Sequence, residues 1–140
     1  MNLYLLDAIA TEALGGVSAS KGRNVAEQFA HMHNVRLDWL KAAAPELLEG
    51  LAKIPKEEAV DRELLRRSLE KSGRAVELLL RKGIEAGGRI KGFKPHAVAF
   101  LGYLISHESY HRGEIGIILT QSGHSLDKKV AYGIWEWGVR

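Results

Sequence analysis

Apolar residues recur at three- and four-residue spacing along most of the chain, and no segment alternates with the period of two that a half-buried strand requires. The first helical stretch runs from about Leu3 to Leu14 and stops at Gly15-Gly16, after which VSASKGR reads as a polar loop. Asn24 is placed as an N-cap, and Glu27 three positions later completes a capping-box pattern. The second helix then carries Val25, Phe29, Met32, Val35, Trp39 and Leu40 on one side and ends before Pro45. The segment PELLEGLAKIPKEEAV, with one short helical turn around Leu47 to Leu51, is too long for a tight turn between antiparallel neighbours and predicts a crossover. The third helix shows Leu65, Leu69, Ser72, Val76 and Leu79 at helical spacing and breaks at Gly87-Gly88. The fourth begins near Pro95, which suits a first-turn position, and runs to Gln121, with Gly123 as its left-handed stop. The tail LDKKVAYGIWEWGVR holds two tryptophans and is expected to fold back onto the bundle. The pattern predicts one all-α domain over residues 1–140: a four-helix bundle with a long connection between helices two and three.

Composition narrows the class. Hydrophobic residues make up 46% of the chain, enough for one core at this length. No apolar run approaches the length of a membrane span. The opening MNLYLLDAIATEALGG carries Asp7 and Glu12 and lacks a basic leader, so it reads as a helix rather than a signal peptide. The absence of cysteine excludes disulfides, thiolate ligands and a cysteine nucleophile, and a cytoplasmic location fits all of this. The net charge is +3, and the basic residues gather in the middle: Arg66, Arg67, Lys71, Arg74, Arg81, Lys82, Arg89, Lys91 and Lys94. Glu63, Glu70, Glu77 and Glu85 are interleaved with them, the pattern of a solvated face laced with i,i+4 pairs rather than a nucleic-acid footprint.

The chemically informative segment is HESYHRGEIGIIL. His107 and His111, four apart, leave the same helix face one turn from each other. The apolar stripe of Phe100, Leu101, Leu104, Ile115, Ile118 and Leu119 encloses both of them, so two imidazoles point into the core. Buried imidazoles need partners. Either neighbouring polar groups bond to them, or a shared divalent metal satisfies both at once, and a third histidine from another helix would favour the metal. In FAHMHNVRLDWL, the face centred on Val25, Phe29, Met32 and Trp39 puts His33 close to its edge and His31 further round. Periodicity alone therefore selects His33.

The run HESYHRGEI resembles the H-x-x-x-H-R-G-[QE]-I signature of the DinB/YfiT-like superfamily. EQFAHMHNVRLDWL resembles that family's second-helix pattern, and the closing YGIWEWG is similar to the tail of many members. The resemblance covers nearly the whole chain. It implies a four-helix bundle in which a nickel, zinc or similar divalent ion is held by one histidine of helix two and two of helix four. The matching positions here are His31, His107 and His111, with His33 in reserve. Glu114 stands where many members have glutamine, as a fourth ligand, an acceptor for a histidine N–H or a solvated residue, and the first helix is short for the family.

Three neutral histidines leave at least one coordination position open, the arrangement of catalytic metal sites. Such an ion acidifies a water or thiol bound there. Some relatives are thiol S-transferases, so the resemblance implies a metal-dependent transferase or hydrolase acting on a small molecule such as a low-molecular-weight thiol. The alternative is a non-catalytic, stress-associated metal-binding protein. A nucleic-acid partner is the weakest reading, because buried histidines are unnecessary for phosphate contact. Tyr103, Tyr110 and Arg36 are candidate pocket residues. Arg36 would bind an anionic group of a substrate or pair with Glu108, itself expected in a structural salt bridge. The family's frequent dimers, with Trp135 and Trp137 in the tail, suggest a homodimer.

Overall fold

A computed structural model describes residues 1–139, so only Arg140 of the tail lies outside the description. The described residues form five α-helices: α1 (Asn2–Ala8), α2 (Val25–Ala43), α3 (Arg62–Glu85), α4 (Ala97–Gln121) and α5 (Lys128–Gly133). No strand occurs among the described residues. Three of the helices are long; α1 supplies the fourth side of the bundle by packing on α3.

The expected first helix is divided. It leaves helical geometry at Ile9, and a 3-10 turn covers Thr11–Gly15. Arg62, from the start of α3, donates to the carbonyls of Leu6 and Ile9. The end of α1 thus finds its acceptors' partners in another element rather than in a further helical turn. The capping box of α2 forms as predicted: Asn24 accepts from the Glu27 amide at 2.8 Å, and Glu27 accepts from the Asn24 amide at 3.0 Å. α4 starts two residues after Pro95, with His96 rather than proline at its boundary; the His96 ring nitrogen accepts from the Ala99 amide. Gly123, at φ +79°, follows its end. The turn foreseen around Leu47 to Leu51 lies at Pro45–Leu48.

The core falls into two apolar clusters stacked along the bundle. One joins the beginnings of α2 and α3 (Val25, Phe29, Met32, Leu65, Leu69) to the end of α4 (Ile115, Ile118, Leu119). The other joins the ends of α2 and α3 (Leu40, Val76, Leu79) to the beginning of α4 (Phe100, Leu104). α2 and α3 therefore run parallel, with α4 antiparallel to both. Parallel neighbours require the chain to travel back along the bundle, which explains the long connection. That connection is pinned at mid-length, where Asn34 donates to the Ile54 carbonyl and accepts from its amide, both at 2.9 Å.

The outward charges of α3 pair both within the helix and with neighbouring elements. Arg74 pairs with Glu70 at 2.5 Å, Arg81 with Glu77 at 3.0 Å and Arg66 with Asp7 at 2.6 Å. The tail does fold back: α5 lies against α1 so closely that a Cβ at Gly133 would collide with the Tyr4 ring. Gly133→Ala is expected to lower stability by about 1–3 kcal/mol, the usual range for overpacking, read as a fall in thermal midpoint. An unchanged midpoint would show that this contact does not anchor the tail.

Candidate metal centre

Between the two apolar clusters lies a polar waist. On the α2–α4 flank, His31, His107 and His111 each offer a ring nitrogen, and the three nitrogens lie within 4.8 Å of one another. Ring centroids are 4.6 Å apart for His31 and His111, 5.4 Å for His31 and His107, and 4.5 Å for His107 and His111. His111 is buried and the other two half-buried. His111 Nδ1–H donates to Gln28 Oε1 at 2.7 Å. That tautomer leaves Nε2 bare, with His107 Nε2 only 3.1 Å away.

The donor set fits a divalent ion. Two imidazole nitrogens at about 2.0–2.1 Å from one ion, with bond angles from about 90° to 110°, stand about 2.9–3.4 Å apart, and the His107–His111 separation lies in that range. Gln28 supplies the outer acceptor that orients a ligating histidine. Electrostatics keep the rings unprotonated. Burial, then the neighbouring His107 and His31 and the Arg23 guanidinium, push His111 down to about 4. Burial is also the main cause of the lowered values of His31, aided by Arg23 and His107, and of His107, where Glu108 opposes the shift. Neutral imidazoles are the form that binds metal.

His33 lies outside this three-histidine group. It is buried on another side of α2, where its Nε2–H donates to the Ala52 carbonyl at 2.9 Å, and its Nδ1 has no hydrogen-bond partner. Periodicity ranks residues by depth in the core, whereas the three-histidine cluster lies on the flank of α2 facing α4. Gln28, His31, Val35 and Trp39 mark that flank at helical spacing. Sequence reasoning missed Gln28, whose position one turn before His31 was the available signal. It also missed Arg23, which the polar loop before α2 delivers to a cavity of about 560 Å³ lined with His31, Glu27, Asn34 and Lys56.

The remaining candidates divide. Tyr103 stacks on His107 at 6.0 Å, and Tyr110 meets the His111 ring edge-on at 5.2 Å. Glu114 does not join the three-histidine group. Leu101 was placed in the inward stripe but is 42% exposed. Arg36 pairs with Glu108 at 2.6 Å, on the flank facing α3, where it also donates to the Leu69 carbonyl and Ser72 Oγ. Asn2 donates to the other carboxylate oxygen of Glu108 at 2.7 Å.

Fold and donor set together define a helical bundle carrying a three-imidazole group. The chain belongs to the DinB family, whose model matches residues 2–128. No curated protein and no solved structure matches it. Among the described residues, no helix is long and apolar enough to cross a membrane.

Burial raises the Glu108 carboxyl, but Arg36, Asn2 and Arg112 outweigh it and hold the group below its ordinary 4.5. A depressed folded value means that this stabilisation is complete above about 4.5 and is lost as pH falls through the folded value. Glu108→Gln is expected to destabilise the protein by on the order of 3 kcal/mol at neutral pH. The gap in thermal midpoint from the unsubstituted chain should close under acid. A gap that stays constant with pH would show that the charge is not what matters.

Proposed function

We propose that the protein binds one divalent metal ion through His31, His107 and His111 and is a metal-dependent enzyme of the thiol S-transferase or hydrolase type. The observation that carries this reading is the convergence of three imidazoles from α2 and α4. Three protein ligands leave a position for an exogenous group, which distinguishes a catalytic from a closed structural site. When bound, the ion supplies Lewis-acid activation of a thiol or a water at that position.

The chain's own residues would do the rest. Gln28 holds the tautomer of His111. Tyr103 and Tyr110 set their aromatic rings against those of His107 and His111. The cavity beside His31 has the volume of a small-molecule site, and Arg23 on its wall offers a guanidinium to a negatively charged substrate. The small apolar side of the partner is left to the walls formed by Ala30, Ile54 and Ala59. A screen of low-molecular-weight thiols with alkylating electrophiles, run beside ester and amide substrates, separates transferase from hydrolase.

The ligand assignment has a direct test in metal content and affinity. Replacing both His107 and His111 with alanine is expected to remove the stoichiometric ion. His31→Ala should weaken binding about tenfold or more, equivalent to about 1.4 kcal/mol, and His33→Ala should change it far less. A full equivalent of metal in the folded double variant would overturn the site, and the reverse ranking of His31 and His33 would overturn the choice of third ligand.

A further inference from the structure

The polar waist has a second flank with a cavity of its own. Its volume is about 350 Å³, and it opens between α3 and α4. Glu108 and His107 are consecutive on α4, so their side chains diverge by about 100°; this cavity lies on the Glu108 side, away from the three histidines. Val76, Leu80, Leu101, Leu104, Ile105 and Trp137 form apolar walls, and Arg36, Glu108 and Arg112, with Met1 and its N-terminal ammonium beside them, form a charged floor. The floor is a built structure: the side chains of Arg36, Glu108 and Arg112 are only 12%, 14% and 10% exposed.

The charges of that floor do not balance. Two guanidiniums and the part-buried Met1 ammonium surround one carboxylate, with Arg36 at 2.6 Å from Glu108 and Arg112 at 3.9 Å. Arg112 takes its hydrogen-bond acceptors from neutral groups, Asn2 Oδ1 and Ser109 Oγ, both at 2.7 Å. The nearby carboxylates of α3, Glu70 and Glu77, are engaged with Arg74 and Arg81 on the outer surface. A net positive charge left in a largely dehydrated place is costly, and a monoanion beside Arg112 would offset it. The walls set the rest of the ligand. Leu101, Ile105 and Trp137, at 42%, 37% and 55% exposure, leave apolar surface around the mouth that a hydrocarbon chain or ring would cover.

We infer that this cavity is a second small-molecule site, distinct from the histidine cluster, and that it binds an apolar monocarboxylate with its carboxylate at Arg112 and its hydrocarbon part against Leu80, Leu101, Ile105 and Trp137. An anion and an apolar body on one molecule are what the floor and the walls each demand.

Octanoate is the probe, with octan-1-ol and octylamine as controls, measured by calorimetry and by the emission of the wall tryptophan. Saturable one-to-one binding of octanoate is expected, with both controls weaker by about tenfold or more. Leu101→Trp fills the mouth at a partly exposed position and should abolish binding. Arg112→Met, which leaves Glu108 its Arg36 partner, should weaken it about tenfold or more. Binding must also survive chelation and the His107→Ala/His111→Ala double substitution, so this site and the metal reading fail separately. Equal binding of octan-1-ol, an Arg112→Met variant as tight as the original, or loss of binding on chelation would overturn the inference. So would a dimeric mass in light scattering combined with no octanoate binding, which would assign this face to a second copy of the chain.

Discussion

The ion pair between Arg36 and Glu108 is the contact on which the middle of this bundle depends. Arg36 sits on α2 five residues after His31, and Glu108 sits on α4 directly after His107. Joining them at 2.6 Å fixes how α2 and α4 stand against each other along their axes. That register sets the distance from His31 to the His107–His111 pair. Apolar clusters above and below tolerate small slips, because hydrophobic contact is non-directional. A guanidinium that also donates to the Leu69 carbonyl and Ser72 Oγ does not, and it ties α3 to the same level. Removing one partner of such a pair leaves the other buried and uncompensated, so the waist is held as a unit.

The same waist has two faces with different chemistry. On the α2–α4 flank the polar groups are neutral imidazoles, kept so chiefly by burial. On the flank facing α3 they are charged side chains. Neutral nitrogen donors suit a cation, and a surplus of guanidinium suits an anion. One short stretch of α4, from Leu104 to Arg112, contributes to both, because consecutive helical residues point about 100° apart.

Much of the fold was legible because it rests on local signals. The capping box at Asn24, the glycines after α3 and α4 and the three- and four-residue apolar spacing each specify geometry within a turn or two. The length of the segment between α2 and α3 carried the topology, since only a return along the bundle uses so many residues. What escaped were interactions made by side chains distant in sequence. Arg62 ends α1 from 53 residues away, and no pattern within the first helix announces it. The candidate site divides in the same way. His107 and His111 stood out because they share one helix face, whereas His31 was reached through the family pattern and against its own helical wheel. Arg23 and Gln28 depend on how α2 meets α4 and the loop before it, which periodicity does not encode.

The central claim is that the three imidazoles form one coordination sphere with a position left open. X-ray absorption at the metal edge of nickel- or zinc-loaded protein addresses it directly. The account predicts three imidazole nitrogens at about 2.0–2.1 Å, together with at least one light ligand that exchanges when a small thiol or anion is added. A sphere with fewer than three imidazoles, or one closed entirely by protein ligands and unchanged by added thiol, would contradict it.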